Sequence, residues 1–189
     1  ALSSAASDVY KRQDKSCAEL LALLREYLPE DIGALALEKA PERFHARLSA
    51  ARKTYIYRVW NSDAPCVFER KYVYAEPRPL DLDAMRCAAA QLCGRHEFSA
   101  FSTGKKTGRA ATRTIESIGI ERCGEEVRLT YTGDGFLYNM VRILTGTLLE
   151  VGLGERRPDD MEAILASHSR ASAGFTAPAQ GLFLWDVTY

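Results

Sequence analysis

Residues 114–151, TIESIGIERCGEEVRLTYTGDGFLYNMVRILTGTLLEV, carry the pattern that decides the fold. Two runs typical of strands, 114–122 and 127–131, flank Cys123-Gly124-Glu125-Glu126 and predict an antiparallel hairpin. After the break at Gly133-Asp134-Gly135, apolar residues recur at helical spacing and predict a long helix over 136–151. One face of that helix would consist of Leu137, Met140, Val141, Leu144, Leu148 and Val151.

The rest of the chain continues this mixture of strands and helices. Strands are expected over residues 32–37, 52–60 and 181–189, the first from a weak alternation and the second from a run of aromatic and β-branched residues. Helices are expected from a cap at Asp14 or Ser16 to just before Pro29, over 80–93, and from Pro158 to about Ser167. Hairpin strands beside segregated helices predict an α+β fold, with an antiparallel or mixed sheet and helices packed on one face.

Composition describes an ordinary globular chain. The 189 residues are 47% hydrophobic and 26% charged, which suits one domain or slightly more. The net charge is zero, but the cations are unevenly placed. Residues 43–58 hold five cations beside the single acid Glu42, and residues 104–113 hold four cations and no acid. A neutral total can therefore hide a basic face, although a charge run can equally be a solvated surface.

Cysteine and histidine usage points to no disulfide framework and no metal site. The five cysteines include no Cys-x-x-Cys pair, and the three histidines are scattered. No apolar run has membrane-spanning length, so we expect a cytoplasmic protein with reduced thiols. Residues 1–13, ALSSAASDVYKRQ, lack periodicity and are interpreted as a non-native or disordered leader before a domain over 14–189.

Several short strings, in order along the chain, resemble one known family. They are Leu28-Pro29-x-Asp31-Ile32, Phe44-His45-Ala46-Arg47 with Tyr55-x-Tyr57, Gly94-x-His96-x-Phe98-Ser99-x-Phe101, Arg113-Thr114, Gly135-Phe136-Leu137-Tyr138-Asn139-Met140-Val141-Arg142, and Ala177-Pro178-x-x-Gly181-Leu182. Together these strings resemble the tRNA pseudouridine synthase A family. The resemblance implies an enzyme that isomerises uridine to pseudouridine in the anticodon stem-loop of tRNA. It also implies a homodimer that binds tRNA and needs no cofactor or metal.

The resemblance assigns roles to residues that have ordinary alternatives. Tyr55 would stack on the target base, although strands favour aromatic residues in any case. Arg142 would be catalytic, keeping a nucleophilic aspartate ionised, although an arginine beside an apolar helix face can also extend its charge to water. Phe136 would help to wall the pocket, or simply belong to the core.

Further positions would contact the RNA. Arg47 and His45 fall in the string that approaches the substrate in the family. The loop-like basic stretch would bind RNA phosphates, although exposed loops also collect lysine for solubility. Its cations are Lys105, Lys106, Arg109 and Arg113.

The family's nucleophile has no counterpart in the sequence. It ends an Arg-Thr-Asp segment, whereas the only Arg-Thr here, Arg113-Thr114, is followed by Ile115. Asp134 lies between two glycines, which is typical of a turn. We therefore expect the chain as given to be inactive. Two alternatives stay open: a non-catalytic RNA-binding module on the same scaffold, and an unrelated α+β protein.

Overall fold

The fold was obtained as a computed structural model, which describes residues 15–105 and 107–189. The leader expected over residues 1–13 and the basic residue Lys106 lie outside these described ranges. Two units divide the chain after Ser49.

The first unit contains helix α1, Cys17–Tyr27. Ser16 caps it, since the Glu19 amide donates to Ser16 Oγ at 3.3 Å and the Ser16 amide donates to Glu19 Oε2 at 2.8 Å. This reciprocal pair satisfies two backbone donors and confirms the expected start of the helix.

The strand expected over residues 32–37 is wrong. In the described part of the first unit this segment has an irregular backbone and no partner strand. The carbonyls of Ala34 and Leu35 instead accept hydrogen bonds of 3.0 Å each from the Arg25 guanidinium. Leu35 is also 88% exposed, so its side chain gains nothing from a sheet face. The weak alternation therefore reflects composition rather than pairing.

The second unit is built on a mixed sheet, with six strands in the described residues. They are β1 Arg52–Trp60, β2 Tyr74–Ala75, β3 Gly94–Glu97, β4 Thr112–Cys123, β5 Glu126–Gly133 and β6 Leu182–Thr188. The order is β2-β1-β5-β4-β3, and β6 also pairs with β1. Only the β1–β2 pair is parallel.

The predicted hairpin is confirmed as β4 and β5. Cys123 pairs with Glu126 across a two-residue turn, in which Gly124 takes a φ of 61°. A left-handed φ at this position suits the tight hairpin turn and is easiest for glycine. The predicted strand 52–60 is confirmed residue for residue as β1, and the last strand is confirmed within one residue at each end.

Three helices accompany the sheet in the second unit. They are α2 Leu82–Leu92, α3 Met140–Gly152 and α4 Met161–Ser167, the last preceded by a 3₁₀ turn over Pro158–Asp160. The expectation that α3 begins at residue 136 is wrong. Asn139 adopts a left-handed conformation with φ 60° and ψ 5°, so the helix begins only at Met140.

The helices cover one face of the sheet, as expected. Strand alternation sends Tyr57, Val59, Leu129 and Tyr131 to this face, where they are fully buried. Ile143, Leu144 and Leu148 of α3 belong to the same core cluster. The opposite face carries polar pairs instead, including the 3.3 Å contact between the Thr54 and Thr132 hydroxyls. An α+β fold with a mixed sheet and helices on one side is therefore confirmed.

Candidate active site

An aromatic pair lies where β1 faces the segment after β5. Tyr55 is half-buried, and its ring centre is 5.3 Å from that of Phe136 at an interplanar angle of 86°. Edge-to-face pairs of this kind contribute about 0.5–1.5 kcal/mol beyond area burial. Burial raises the pKa of the Tyr55 phenol above its ordinary value. In the part of the chain that the structure describes, that hydroxyl makes no hydrogen bond.

The Gly133-Asp134-Gly135 turn brings Phe136 to Tyr55. Asp134 Oδ1 accepts from the Thr114 amide at 3.0 Å, and the Asp134 amide donates to the Thr114 carbonyl at 3.1 Å. The side chain and the backbone amide of Asp134 are thus both hydrogen-bonded to Thr114 of β4. The turn role expected for Asp134 is confirmed, and its carboxylate is already used by the fold.

Arg142 lies in the first turn of α3 with its guanidinium held in a fixed direction. Its Nε donates to the Ala177 carbonyl at 2.6 Å, and its Nη1 donates to Asn139 Oδ1 at 3.0 Å. Among residues 15–105 and 107–189, no carboxylate lies within ion-pairing distance of it. The cation is therefore oriented by neutral acceptors, and its charge is not neutralised by any described residue.

The Ala177-Pro178 segment, which accepts from the Arg142 guanidinium, makes two further hydrogen bonds. Tyr57 Oη donates to the Pro178 carbonyl at 2.7 Å, and the Ala177 amide donates to the Arg142 carbonyl at 3.1 Å. Burial raises the pKa of the Tyr57 phenol, and the charge of Arg142 acts in the opposite direction. Tyr57 is two residues after Tyr55 on the same face of β1. Strand β1 and helix α3 are thus joined through Ala177-Pro178.

The basic loop connects β3 to β4 and includes Lys105 and Arg109, whereas Arg113 lies in β4 itself. Lys105 and Arg109 are exposed, and their side chains form no ion pair within the described ranges. Arg113 differs, because its Nη1 folds back to the Thr112 carbonyl at 2.5 Å and the Ala110 carbonyl at 3.3 Å. Lysine and arginine side chains that are exposed and unpaired suit phosphate contacts, whereas Arg113 also stabilises the loop itself.

The loop is anchored at two places that the sequence did not indicate. Glu97 Oε1 accepts from the Gly108 amide at 2.7 Å and from Ser99 Oγ at 3.0 Å. The Gly108 bond, more than the Ser99 bond, lowers the pKa of the Glu97 carboxyl. At the other end, Ser102 Oγ donates to the Tyr138 carbonyl at 3.2 Å. The basic loop is therefore connected to the segment that carries Arg142.

Comparison with known proteins identifies the family of the chain. A family model described as tRNA pseudouridine synthase matches residues 88–189, which include the basic loop and Arg142. Curated relatives match a still longer part of the chain. A tRNA pseudouridine synthase A of Oceanobacillus iheyensis is 43% identical over 167 residues, covering 88% of this chain and 66% of the relative. The chain belongs to the tRNA pseudouridine synthase A family.

Other members of the family are equally similar. A tRNA pseudouridine synthase A 1 of Bacillus cereus is 45% identical over 166 residues, which are 88% of this chain and 67% of the relative. A tRNA pseudouridine synthase A of Halalkalibacterium halodurans is 48% identical over 159 residues, which are 84% of this chain and 60% of the relative. The chain thus spans about two thirds of the length of the curated relatives it matches.

His45 and Arg47 belong to the first unit. His45 Nδ1 accepts from the amides of Arg47 and Leu48 at 3.1 and 3.3 Å, so this ring nitrogen caps the local turn. The side chains of His45 and Arg47 are both exposed. The family string is therefore a small turn, held by the His45 ring and carrying an exposed guanidinium group.

Two features are absent from residues 15–105 and 107–189. None of their helices has the length and apolar content needed to cross a membrane. None of their His, Cys, Asp and Glu side chains form a group of three or more suited to a metal ion.

Proposed function

We propose that the intact protein isomerises uridine to pseudouridine in the anticodon stem-loop of tRNA. Residues 50–189 would hold the target base and orient the nucleophilic carboxylate. The strongest support is that one unit contains both an aromatic pair, Tyr55 and Phe136, and an oriented cation, Arg142. That cation has no acidic partner among the described residues.

The chemistry places clear demands on such a site. The N1–C1′ bond of uridine breaks, a C5–C1′ bond forms, and the proton lost from C5 is balanced by one gained at N1. No oxidant, reductant or second substrate is needed. The base must leave the stack to reach the catalytic groups, and a stacking surface compensates for part of that cost.

Tyr55 and Phe136 fit the stacking role. One aromatic ring contributes on the order of 1–3 kcal/mol per stacked base, which is comparable to the cost of unstacking. A tyrosine phenol is protonated at neutral pH, so the free Tyr55 hydroxyl can donate to a uracil carbonyl or pass on the C5 proton. A phenylalanine in its place would retain the stacking and lose the proton transfer.

Arg142 fits the electrostatic role. Arginine stays charged when removed from water, and a neighbouring cation lowers the pKa of a carboxyl group. Its fixed hydrogen bonds to Ala177 and Asn139 leave the charge directed before any anion arrives. Such preorganisation is what makes an electrostatic contact effective in catalysis.

The 189-residue chain itself is proposed to be inactive. Its only Arg-Thr is followed by Ile115 instead of an aspartate. Asp134, which could be considered as a substitute nucleophile, accepts a hydrogen bond from the Thr114 amide. Release of tritium from tRNA that carries 5-tritiated uridine measures the reaction directly. We expect no release by this chain and release by the intact protein. Release by the chain at an enzyme's rate would contradict the assignment.

A second candidate is a non-catalytic RNA-binding module on the same scaffold. It is favoured by one observation, the absence of an Arg-Thr-Asp string from the 189 residues. The two functions separate when the intact protein is tested, since only the enzyme converts bound tRNA. We also propose that the intact protein is a cytoplasmic homodimer, and sedimentation at micromolar concentration would test the dimer.

A further inference from the structure

Asn139 joins the basic loop to Arg142. Its Oδ1 accepts from Arg142 Nη1 at 3.0 Å, and its Nδ2 donates to Thr103 Oγ1 at 3.0 Å. The residue adopts a left-handed backbone, which asparagine tolerates better than most residues. This conformation ends the preceding turn and places the amide between the loop and the first turn of α3.

The directions of these hydrogen bonds are fixed by chemistry. A guanidinium has only donors, so the amide oxygen of Asn139 must face Arg142 and the amide nitrogen must face Thr103. Thr103 Oγ1 therefore accepts, and the hydroxyl hydrogen has no acceptor within the described ranges. Thr103 is exposed, so this hydrogen is available to a ligand.

The backbone holds Thr103 in this position. The Thr103 amide donates to the Tyr138 carbonyl at 3.4 Å, and the Gly104 amide donates to Ser102 Oγ at 3.0 Å. Lys105 follows two residues later with an exposed ammonium group. An exposed hydroxyl donor and an exposed cation thus lie two residues apart in the same loop, a combination that suits a phosphate group.

We infer that Thr103 binds an RNA phosphate and that Asn139 is the positioning residue that links this phosphate to Arg142. A phosphate that accepts from the Thr103 hydroxyl makes its oxygen a better acceptor for Asn139, because hydrogen bonds in a chain polarise one another. RNA bound at the loop would then affect the environment of the Arg142 guanidinium. This inference rests on the proposed function.

Binding of tRNA by the 189-residue chain tests the phosphate contact. Thr103→Val removes the hydroxyl and keeps the shape, and we expect binding about tenfold weaker, whereas Thr103→Ser should stay within about twofold. A neutral hydroxyl releases no counterion, so Thr103→Val should leave the salt dependence unchanged. Lys105→Ala is the matched control, and it should reduce the slope of log K against log salt by roughly one.

The link to Arg142 needs a readout that a structural role would not change. We would follow the Arg142 Nε–H resonance while adding a synthetic anticodon stem-loop RNA. The resonance should shift in the wild type and in Thr103→Ser, but not in Thr103→Val. Asn139→Asp tests the same link independently. A carboxylate can only accept, so it turns the Thr103 hydroxyl towards itself and should abolish the RNA-induced shift.

The outcomes distinguish the two levels of the proposal. A wild-type chain without salt-dependent tRNA binding would overturn the proposed function and this inference with it. Salt-dependent binding that Thr103→Val leaves as strong as the wild type would overturn the inference alone. An Arg142 resonance that shifts equally in Asn139→Asp would do the same.

Discussion

The phenol of Tyr57 donates a 2.7 Å hydrogen bond to the carbonyl of Pro178, the residue after the one that accepts from Arg142. Tyr57 is fully buried on the strand that carries Tyr55. One hydrogen bond from β1 and two with Arg142 of α3 therefore fix the Ala177-Pro178 segment. This double attachment determines where the Arg142 guanidinium lies relative to β1.

Removal of that phenol should destabilise the fold. Tyr57→Phe leaves the part-buried Pro178 carbonyl without its donor, and we expect the free energy of unfolding to fall by about 1 kcal/mol. Urea denaturation measures this. Tyr138→Phe is the control, since Tyr138 is 72% exposed and its hydroxyl makes no hydrogen bond in the described ranges. Equal stability of the two variants would contradict the account.

At Gly146, helix α3 lies close to the backbone of the segment before Ala177. A Cβ at this position would lie 2.0 Å from the Phe175 carbonyl oxygen, so something in the backbone must move. We expect Gly146→Ala to cost about 2–3 kcal/mol in urea denaturation, as overpacking commonly does. Gly119→Ala is the matched control, because its Cβ would meet only Thr130 at an ordinary 3.8 Å. A neutral Gly146→Ala would show that the helix is less tightly placed.

Sequence patterns predicted the elements whose conformation depends on residues adjacent in the sequence. The aromatic and β-branched run of β1 and the two-residue turn before Glu126 both determine their own geometry. The start of α3 was missed because Phe136 and Leu137 have helical spacing, while the left-handed Asn139 is stabilised by Thr103, 36 residues away. The segment 32–37 was missed because a strand needs a partner, and alternation does not reveal one.

The site residues also divide into those that the sequence indicated and those that it did not. Tyr55, Phe136 and Arg142 were found through their resemblance to family strings, since a strand aromatic, a core aromatic and a helix-edge arginine are common everywhere. Asn139, Thr103 and Glu97 were missed. Their roles consist of hydrogen bonds between residues distant in sequence, and no spacing rule predicts them.

Glu126 should make stability depend on pH. Hydrogen bonds from Arg58, and less from Arg128, lower the pKa of its carboxyl below the ordinary 4.5. The folded pKa is depressed, so the contribution is fully present above pH 4.5 and is lost as pH falls through the folded pKa. Glu126→Gln should therefore cost on the order of 2 kcal/mol at neutral pH and progressively less below that value.

The control for this dependence is Glu121→Gln. Glu121 is exposed on β4 and forms no ion pair in the part of the chain described by the structure. Its substitution should change the unfolding free energy little at either pH. A constant difference between wild type and Glu126→Gln from neutral to acid pH would contradict the assigned ion pair.

Glu97 should keep the basic loop ordered. Glu97→Ala removes the acceptor of the Gly108 amide, so trypsin should cleave after Lys105 and Arg109 several-fold faster than in the wild type. Glu97→Gln keeps one acceptor oxygen and should be intermediate. Unchanged cleavage in Glu97→Ala would show that the loop is held by its other anchor at Tyr138.

Tritium release from tRNA with 5-tritiated uridine tests the central claim most directly, when the intact protein is compared with its Arg142→Gln variant. The account predicts release by the intact protein and a rate at least about 100-fold lower in Arg142→Gln, because the nucleophilic carboxylate loses its cation. A variant that releases tritium as fast as the intact protein would contradict the role assigned to Arg142.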